Sequence, residues 1–303
     1  DADENPYTFD MNGSLFLPIT ETHIACGLVH TIVLKSDGTV WNWGSELYGQ
    51  LGNGISGAVI NDGELVEVSG LSEVTTVAGG GSHTVALKTD GTVWAWGYNH
   101  YGQLGDGSTD DKDTPVQVSS LSDVTAIAGG SYHTVALKSD GTVWTWGGNT
   151  NGQLGDGMSG NERDTPFQVS NLNNVTAIAC GDEHTIALTS DGAVWAWGDN
   201  YYGQLGYGGS GNDRLTPVQV SNLTDVTDIA GGSYHTIAIK NSGTVWAWGK
   251  NNKGQLGNGT TDEKHTPVQV SSIADAIDIA GGNEHTVALK SDGTVWSWGD
   301  NWS

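Results

Sequence analysis

The segment His133 to Gly147, reading HTVALKSDGTVWTWG, recurs along the chain with small changes. Its histidine falls at positions 30, 83, 133, 184, 235 and 285, at intervals of 53, 50, 51, 51 and 50. A period near 50 without a 3.6-residue hydrophobic pattern gives each repeat one small β-sheet. Such a sheet cannot bury its faces alone, and stacking these units radially makes a propeller, not a helical solenoid. Glycine accounts for 46 of 303 residues, about twice its average share of roughly 7%, which disfavours helix interiors.

Each unit divides into four short strands. The first reads like Val124-Thr125-Ala126-Ile127-Ala128 and ends in a Gly pair; the second runs from His133 to Lys138. Asp140-Gly141 closes a tight hairpin, since Asp-Gly tolerates the positive φ angles of such turns. Five of the six repeats keep Asp-Gly here, and the fifth has Ser242-Gly243. The third strand carries Trp144 and Trp146, two residues apart and hence on one face of the pleat. A longer loop with Gly152-Gln153-Leu154-Gly155 leads to an outer strand opened by Pro166, a position that can spare an N–H donor. Twelve of the 13 tryptophans belong to the repeated pairs, and packing between blades is their expected role.

His-Thr-(Val/Ile)-Ala-Leu, Asp-Gly, Val-Trp-x-Trp-Gly and Gly-Gln-Leu-Gly follow one another in fixed order over about residues 19–301. In this the chain resembles the regulator of chromosome condensation repeats, and the resemblance implies a β-propeller, seven-bladed in typical members. Six copies are present here. Strands one to three occur six times and the fourth five times, because the sequence stops soon after Trp296-Ser297-Trp298-Gly299. Ser14-Leu15-Phe16-Leu17-Pro18 can supply the missing outer strand. The expectation is therefore an all-β propeller of six four-stranded blades over residues 14–303, closed by the N-terminal strand, behind a tail over residues 1–13. A seventh blade from outside the sequence is the alternative.

Composition narrows the function. There are 35 acidic residues against 11 basic ones, a formal charge of −24. Nucleic-acid binding needs cations to displace the phosphate counterions, and anionic membranes need them too, so neither partner is expected. No apolar run reaches the roughly 18 residues of a spanning helix. Two cysteines, Cys26 and Cys180, do not make a disulfide scaffold; three blades apart, they are expected to be unbridged, small, buried residues. Six histidines on six blades form too wide a ring for zinc, whose ligands lie within roughly 2.0–2.3 Å. Each is expected to hydrogen-bond within its own blade. The loop Asp106 to Asp113 offers oxygens in a calcium-like alternation, yet its counterparts start with Asn53, Asp156, Tyr207 and Asn258, and a solvated acidic loop is expected. No cofactor or metal site is assigned, and neither a nucleophile elbow nor a phosphate-cradling loop occurs.

In an antiparallel four-stranded blade the loop between strands one and two and the loop between strands three and four emerge at the same end. That end collects eight of the nine tyrosines, all but Tyr7. The candidate protein-binding residues there are Tyr48, Tyr98, Tyr101, Tyr132, Glu183, Tyr201, Tyr202, Tyr234 and Glu284. A rigid end rich in Tyr and acid suits a protein partner, and a cationic one suits the charge. The expected function is thus a non-enzymatic interaction module, outside the cell or at its surface. The alternative is a structural subunit of a surface layer or filament, self-assembling by strand addition. Two further roles implied by the resemblance fit less well. Guanine nucleotide exchange uses an inserted β-wedge, for which the repeat intervals leave no room. Light sensing uses Trp and Arg just before the repeat His-Thr, where this chain has pairs such as Leu28-Val29, Ser131-Tyr132 and Asp182-Glu183.

Overall fold

A computed structural model describes residues 8–9, 15–16, 21–57 and 63–301. Six antiparallel sheets follow one another around a central channel, and the described residues contain no helix. In sequence order from the channel outward, blade 1 comprises Glu21–Cys26, His30–Lys35, Val40–Gly44 and Val66–Glu67. Blade 3 comprises Val124–Gly129, His133–Lys138, Val143–Gly147 and Arg163–Gln168, and blades 2, 4 and 5 repeat this plan. Blade 6 has three strands, Ala276–Gly281, His285–Lys290 and Val295–Gly299.

The hairpin between the second and third strands spans three residues, not two. In blade 3 Lys138 N bonds Thr142 O and Gly141 N bonds Lys138 O. Only the glycine is left-handed, at φ 78°, and Asp140 Oδ1 accepts from both the amide and the hydroxyl of Thr142. The Asp is therefore selected as a hydrogen-bond acceptor and the Gly for its φ, as in a type I turn with a bulge.

The cores lie between blades. Val85, Leu87, Val93 and Ala95 of blade 2 pack against Val124, Ile127, Ala136 and Trp146 of blade 3, and equivalent clusters join the later pairs. Each Val, Leu or Ile among them contributes about 1.5–3 kcal/mol on burial. The second Trp of each pair is the largest group filled in: Trp96, Trp146, Trp197 and Trp248 are completely buried. The first Trp of each pair in blades 1 to 5 is only half-buried, as at Trp144, with Lys138 over its ring and Thr142 Oγ1 accepting from its indole.

Polar clasps lock the seams, and here the histidines depart from the expected contact within their own blade. His133 Nε2 lies 3.0 Å from Thr185 Oγ1 of the next blade. Thr185 Oγ1 donates to Gln153 O at 2.8 Å, and Trp197 Nε1 donates to the same carbonyl at 2.9 Å. A hydroxyl has one hydrogen, and here it goes to a carbonyl, so His133 must donate from Nε2. The same clasp joins His30, His83, His184 and His235 to Thr84, Thr134, Thr236 and Thr286. Burial holds His133 well below the usual histidine range, at about 3, with His83 and His184 adding to the effect. The glycine three residues before each histidine makes room for the ring: a Cβ on Gly130 would lie 2.1 Å from His133 Cε1.

The sixth seam differs. Among the described residues, no hydrogen bond joins His285 to Thr31, and Trp43 finds no acceptor, because the acceptors in the other seams are Gln50, Gln103, Gln153, Gln204 and Gln255. Val295 is 67% exposed where Val143 is 0%, and Ile24 is 53% exposed where Ile127 is 8%. The strand expected from residues 14–18 does not fill this place. Leu15–Phe16 pairs with Thr8–Phe9 as a separate two-stranded sheet; Ser14, Leu17 and Pro18 lie outside the described residues, as does most of the 1–13 tail. A hairpin closing over so few residues loses less loop entropy than docking on a distant edge.

Candidate functional site

In blades 2 to 5 the loops between strands three and four are built around one buried asparagine, whose place Glu46 takes in blade 1. In blade 2, Asn99 Oδ1 accepts from Leu104 N, and its Nδ2 donates to Ser108 O and Asp110 O. Asn149, Asn200 and Asn251 repeat the first of these bonds. The glutamine of Gly-Gln-Leu-Gly acts twice: its main-chain carbonyl receives the next blade, and its side chain accepts from Tyr101 N in blade 2 and from Tyr202 N in blade 4. The residues that fix the tyrosines are thus inseparable from those that fix the ring. Sequence reasoning singled out neither Asn99 nor this use of Gln103, although Asn four residues before Gln was there to be read.

On this frame the tyrosines fall into two groups. Tyr98 lies 4.7 Å from Tyr48, 6.1 Å from Tyr101 and 6.3 Å from Tyr132, centroid to centroid, with His100 stacked at 5.2 Å. Tyr101 and Tyr132 are 5.0 Å apart. Loops from three blades therefore make one aromatic patch, and Tyr132 is 40% exposed within it. Burial raises the Tyr98 phenol to about 12, with Tyr101 and Tyr48 adding, and raises that of Tyr132 as well. Tyr202 joins Tyr201 at 4.8 Å and Tyr234 at 5.6 Å in the second group. Tyr207 stands apart, bonded to Asn200 and stacked under Arg214.

The acids lie between and beside these groups. Glu183 accepts from Asn151, and burial, followed by repulsion from Asp199 and Asp182, holds its carboxyl above the usual range. Asp199 and Asp182 are raised as well, each chiefly by burial. Glu284 instead meets Lys250 Nζ at 2.5 Å. Two of the chosen acids therefore stand differently: one is neutralised by a lysine, while among the described residues no cation lies within 4 Å of Glu183.

Other sequence candidates have local roles. Asp106 is held by Ser108 and Lys112, and among the described residues no group of three or more His, Cys, Asp or Glu could hold a metal. Cys26 and Cys180 are unpaired and line the channel, a cavity of about 590 Å³ walled largely by the Gly pairs. Cys26 is exposed, contrary to its expected burial, because it sits on the blade at the open seam; Cys180 is half-buried.

Residues 14–227 match the RCC1-like domain, and residues 226–255 and 242–289 match the regulator of chromosome condensation (RCC1) repeat. The chain belongs to the RCC1-like family. It is 34% identical over 254 residues to the ultraviolet-B receptor UVR8 of Arabidopsis thaliana, covering 80% of this chain and 57% of that one. Over 251 residues it is 35% identical to human E3 ubiquitin-protein ligase HERC2, covering 80% of this chain and 5% of that one. It thus spans little more than half, or far less, of these relatives. Among solved structures, human WBSCR16 superposes with a TM-score of 0.79 at 26% identity, over 88% of this chain and 71% of its own. Yeast RCC1 (Prp20), solved bound to Kap60, superposes with a TM-score of 0.79 at 24% identity, over 91% of this chain and 69% of its own. At that identity the likeness concerns the fold.

Proposed function

We propose that the protein is a non-enzymatic interaction module that presents its Tyr-rich, acidic loop face to a protein partner with a basic surface. The observation that carries this reading is the continuous ring cluster of Tyr48, Tyr98, Tyr101 and Tyr132, drawn from three blades and pinned by buried Asn and Gln. Tyrosine offers large contact area at low entropy cost, and a rigid support preserves that advantage. Yeast Prp20p, which shares this fold, has a structure described together with its binding properties to Gsp1p and histones, so the architecture is compatible with a protein partner. The net charge of −24 would speed encounter with a cationic partner.

A photo-crosslinker placed at Tyr98, and separately at the opposite-end hairpin residue Asp140, tests the proposal. One partner is expected to be captured from Tyr98 alone, with capture falling as salt rises and on Tyr132→Ser. Equal capture from Asp140 would refute it. A second reading, assembly by strand addition, is favoured by one observation: the outer edge of Val295–Gly299 has no strand partner among the described residues, and Trp296 is 47% exposed. A solution mass that grows with concentration would support it, and a constant mass would dismiss it.

A further inference from the structure

The loop face contains the same three-residue arrangement twice, two blades apart, once with its centre filled and once without. In the filled copy, Tyr202 and Tyr234 face each other at 5.6 Å and 66°. Lys250 Nζ sits 5.4 Å from the first ring centroid and 5.2 Å from the second, and its ammonium reaches Glu284 of the following blade. Those distances lie within the roughly 6 Å range of cation–π attraction. The ammonium is thus held by two rings and one carboxylate of the protein itself.

Two repeats earlier, Tyr101 and Tyr132 face each other at 5.0 Å and 56°. Glu183 holds the place of Glu284, directly before the repeat histidine of the following blade. The place of Lys250 is taken by Gly148. Backbone register is the same in both copies: Lys250 N bonds Tyr234 O at 2.9 Å, and Gly148 N bonds Tyr132 O at 2.7 Å. Two rings and a carboxylate that acts on the Tyr132 phenol are therefore placed with no side chain entering from position 148; Asn151 occupies one carboxylate oxygen, and Tyr98 borders both rings. The Glu183 carboxyl is raised by burial and by neighbouring Asp199, Asp182 and Asp213, offset only in part by the hydrogen bond from neutral Asn151, and among the described residues no cation lies beside it.

We propose that Tyr101, Tyr132 and Glu183 form a cage for one lysine ammonium of a partner protein, bound where the protein's own Lys250 sits in the second copy. The cage rests on the interaction reading above and specifies its contact. A primary ammonium on a flexible stem suits it, because Lys250 already shows that group satisfied by this geometry. A neutral side chain gains neither the ring attraction nor the relief of Glu183. Glycine at 148 sends no side chain toward the incoming group, and the position takes one elsewhere in the ring: its φ is not left-handed, an added Cβ would meet Tyr132 Cβ at 3.1 Å and Tyr132 O at 3.2 Å, and the equivalent positions 199 and 250 carry Asp and Lys.

The test uses n-butylammonium as probe and 1-butanol as its neutral isostere, followed by the NMR signals of the Tyr132 ring and the Glu183 carboxyl in the whole protein. Saturable shifts with butylammonium, absent with butanol, are expected, together with a fall in the titration midpoint of Glu183. Gly148→Lys, which fills the cage from within, and Tyr132→Ala should each weaken the probe at least tenfold. Lys250→Ala should open a second site, reported by Tyr234. Shifts that do not saturate, or that butanol reproduces, overturn the cage, and so does unchanged probe binding in both Gly148→Lys and Tyr132→Ala. Because the probe needs no partner protein, the two proposals fail separately. A cage that binds butylammonium while crosslinking from Tyr98 captures nothing overturns the interaction reading alone; captured partner without saturable probe binding overturns the cage alone.

Discussion

Acid should dissolve the clasps, and the proton count can be worked out. His83, His133, His184 and His235 are held at about 3 and His30 at about 4, against 6.5 for a free ring, in every case chiefly by burial. A group whose folded value lies below its unfolded one binds fewer protons when folded. Stability is therefore complete only well above pH 6.5 and is lost as pH falls through that value. At pH 5.5 each unfolded ring is about 0.9 protonated and each folded ring almost not at all, so unfolding takes up about 4.5 protons at these five sites. At 1.36 kcal/mol per proton and pH unit, the slope is about 6 kcal/mol per pH unit near pH 5.5. The accumulated loss from pH 7 to 5.5 is also about 6 kcal/mol. Urea unfolding followed by Trp fluorescence at half-unit steps from pH 5.5 to 7.5 measures the net slope, to which the raised carboxyls of Asp182, Glu183 and Asp199 contribute in the opposite sense at the acid end. A slope at pH 5.5 below about 2.7 kcal/mol per pH unit, equivalent to two protons, would mean that the rings already carry charge in the folded state. The neutral Nε2-donor assignment would then be wrong.

Three further outcomes follow from the seams. Thr185→Val leaves His133 Nε2–H buried without an acceptor and should cost about 1–3 kcal/mol in urea unfolding. Thr31→Val, at the open seam, should stay within about 0.5 kcal/mol. Gly105→Ala combines φ 70° with a Cβ 2.6 Å from Trp146 Nε1 and should lose about 2–4 kcal/mol. Gly211→Ala, equally left-handed at φ 73° but with nothing within 4 Å, should lose only the conformational part, about 1–2 kcal/mol. Val143→Asp places a carboxylate at a fully buried site and should abolish folding, read as loss of soluble protein. Val295→Asp, at 67% exposure, should leave the thermal midpoint nearly unchanged.

The sequence by itself determined the repeat and its four-strand unit. Period-2 alternation, a Gly at each turn and paired Trp are local patterns, and local patterns survive without knowledge of the neighbours. The end at which Tyr98, Tyr101, Tyr132 and Tyr234 gather was legible too, because strand direction alone decides where a loop emerges. Tertiary structure decided what crosses a seam. His133 finds its partner 52 residues away in Thr185, and no spacing within one repeat announces that bond. It also decided the ring's open side: Leu15–Phe16 has the composition of an outer strand, but Thr8–Phe9 is nearer along the chain. Finally, it separated Glu183 from Glu284, identical residues at identical repeat positions. Only the neighbouring blade shows that Lys250 neutralises one and that Gly148 stands at the matching place beside the other, since charge pairing is a property of space and not of sequence position.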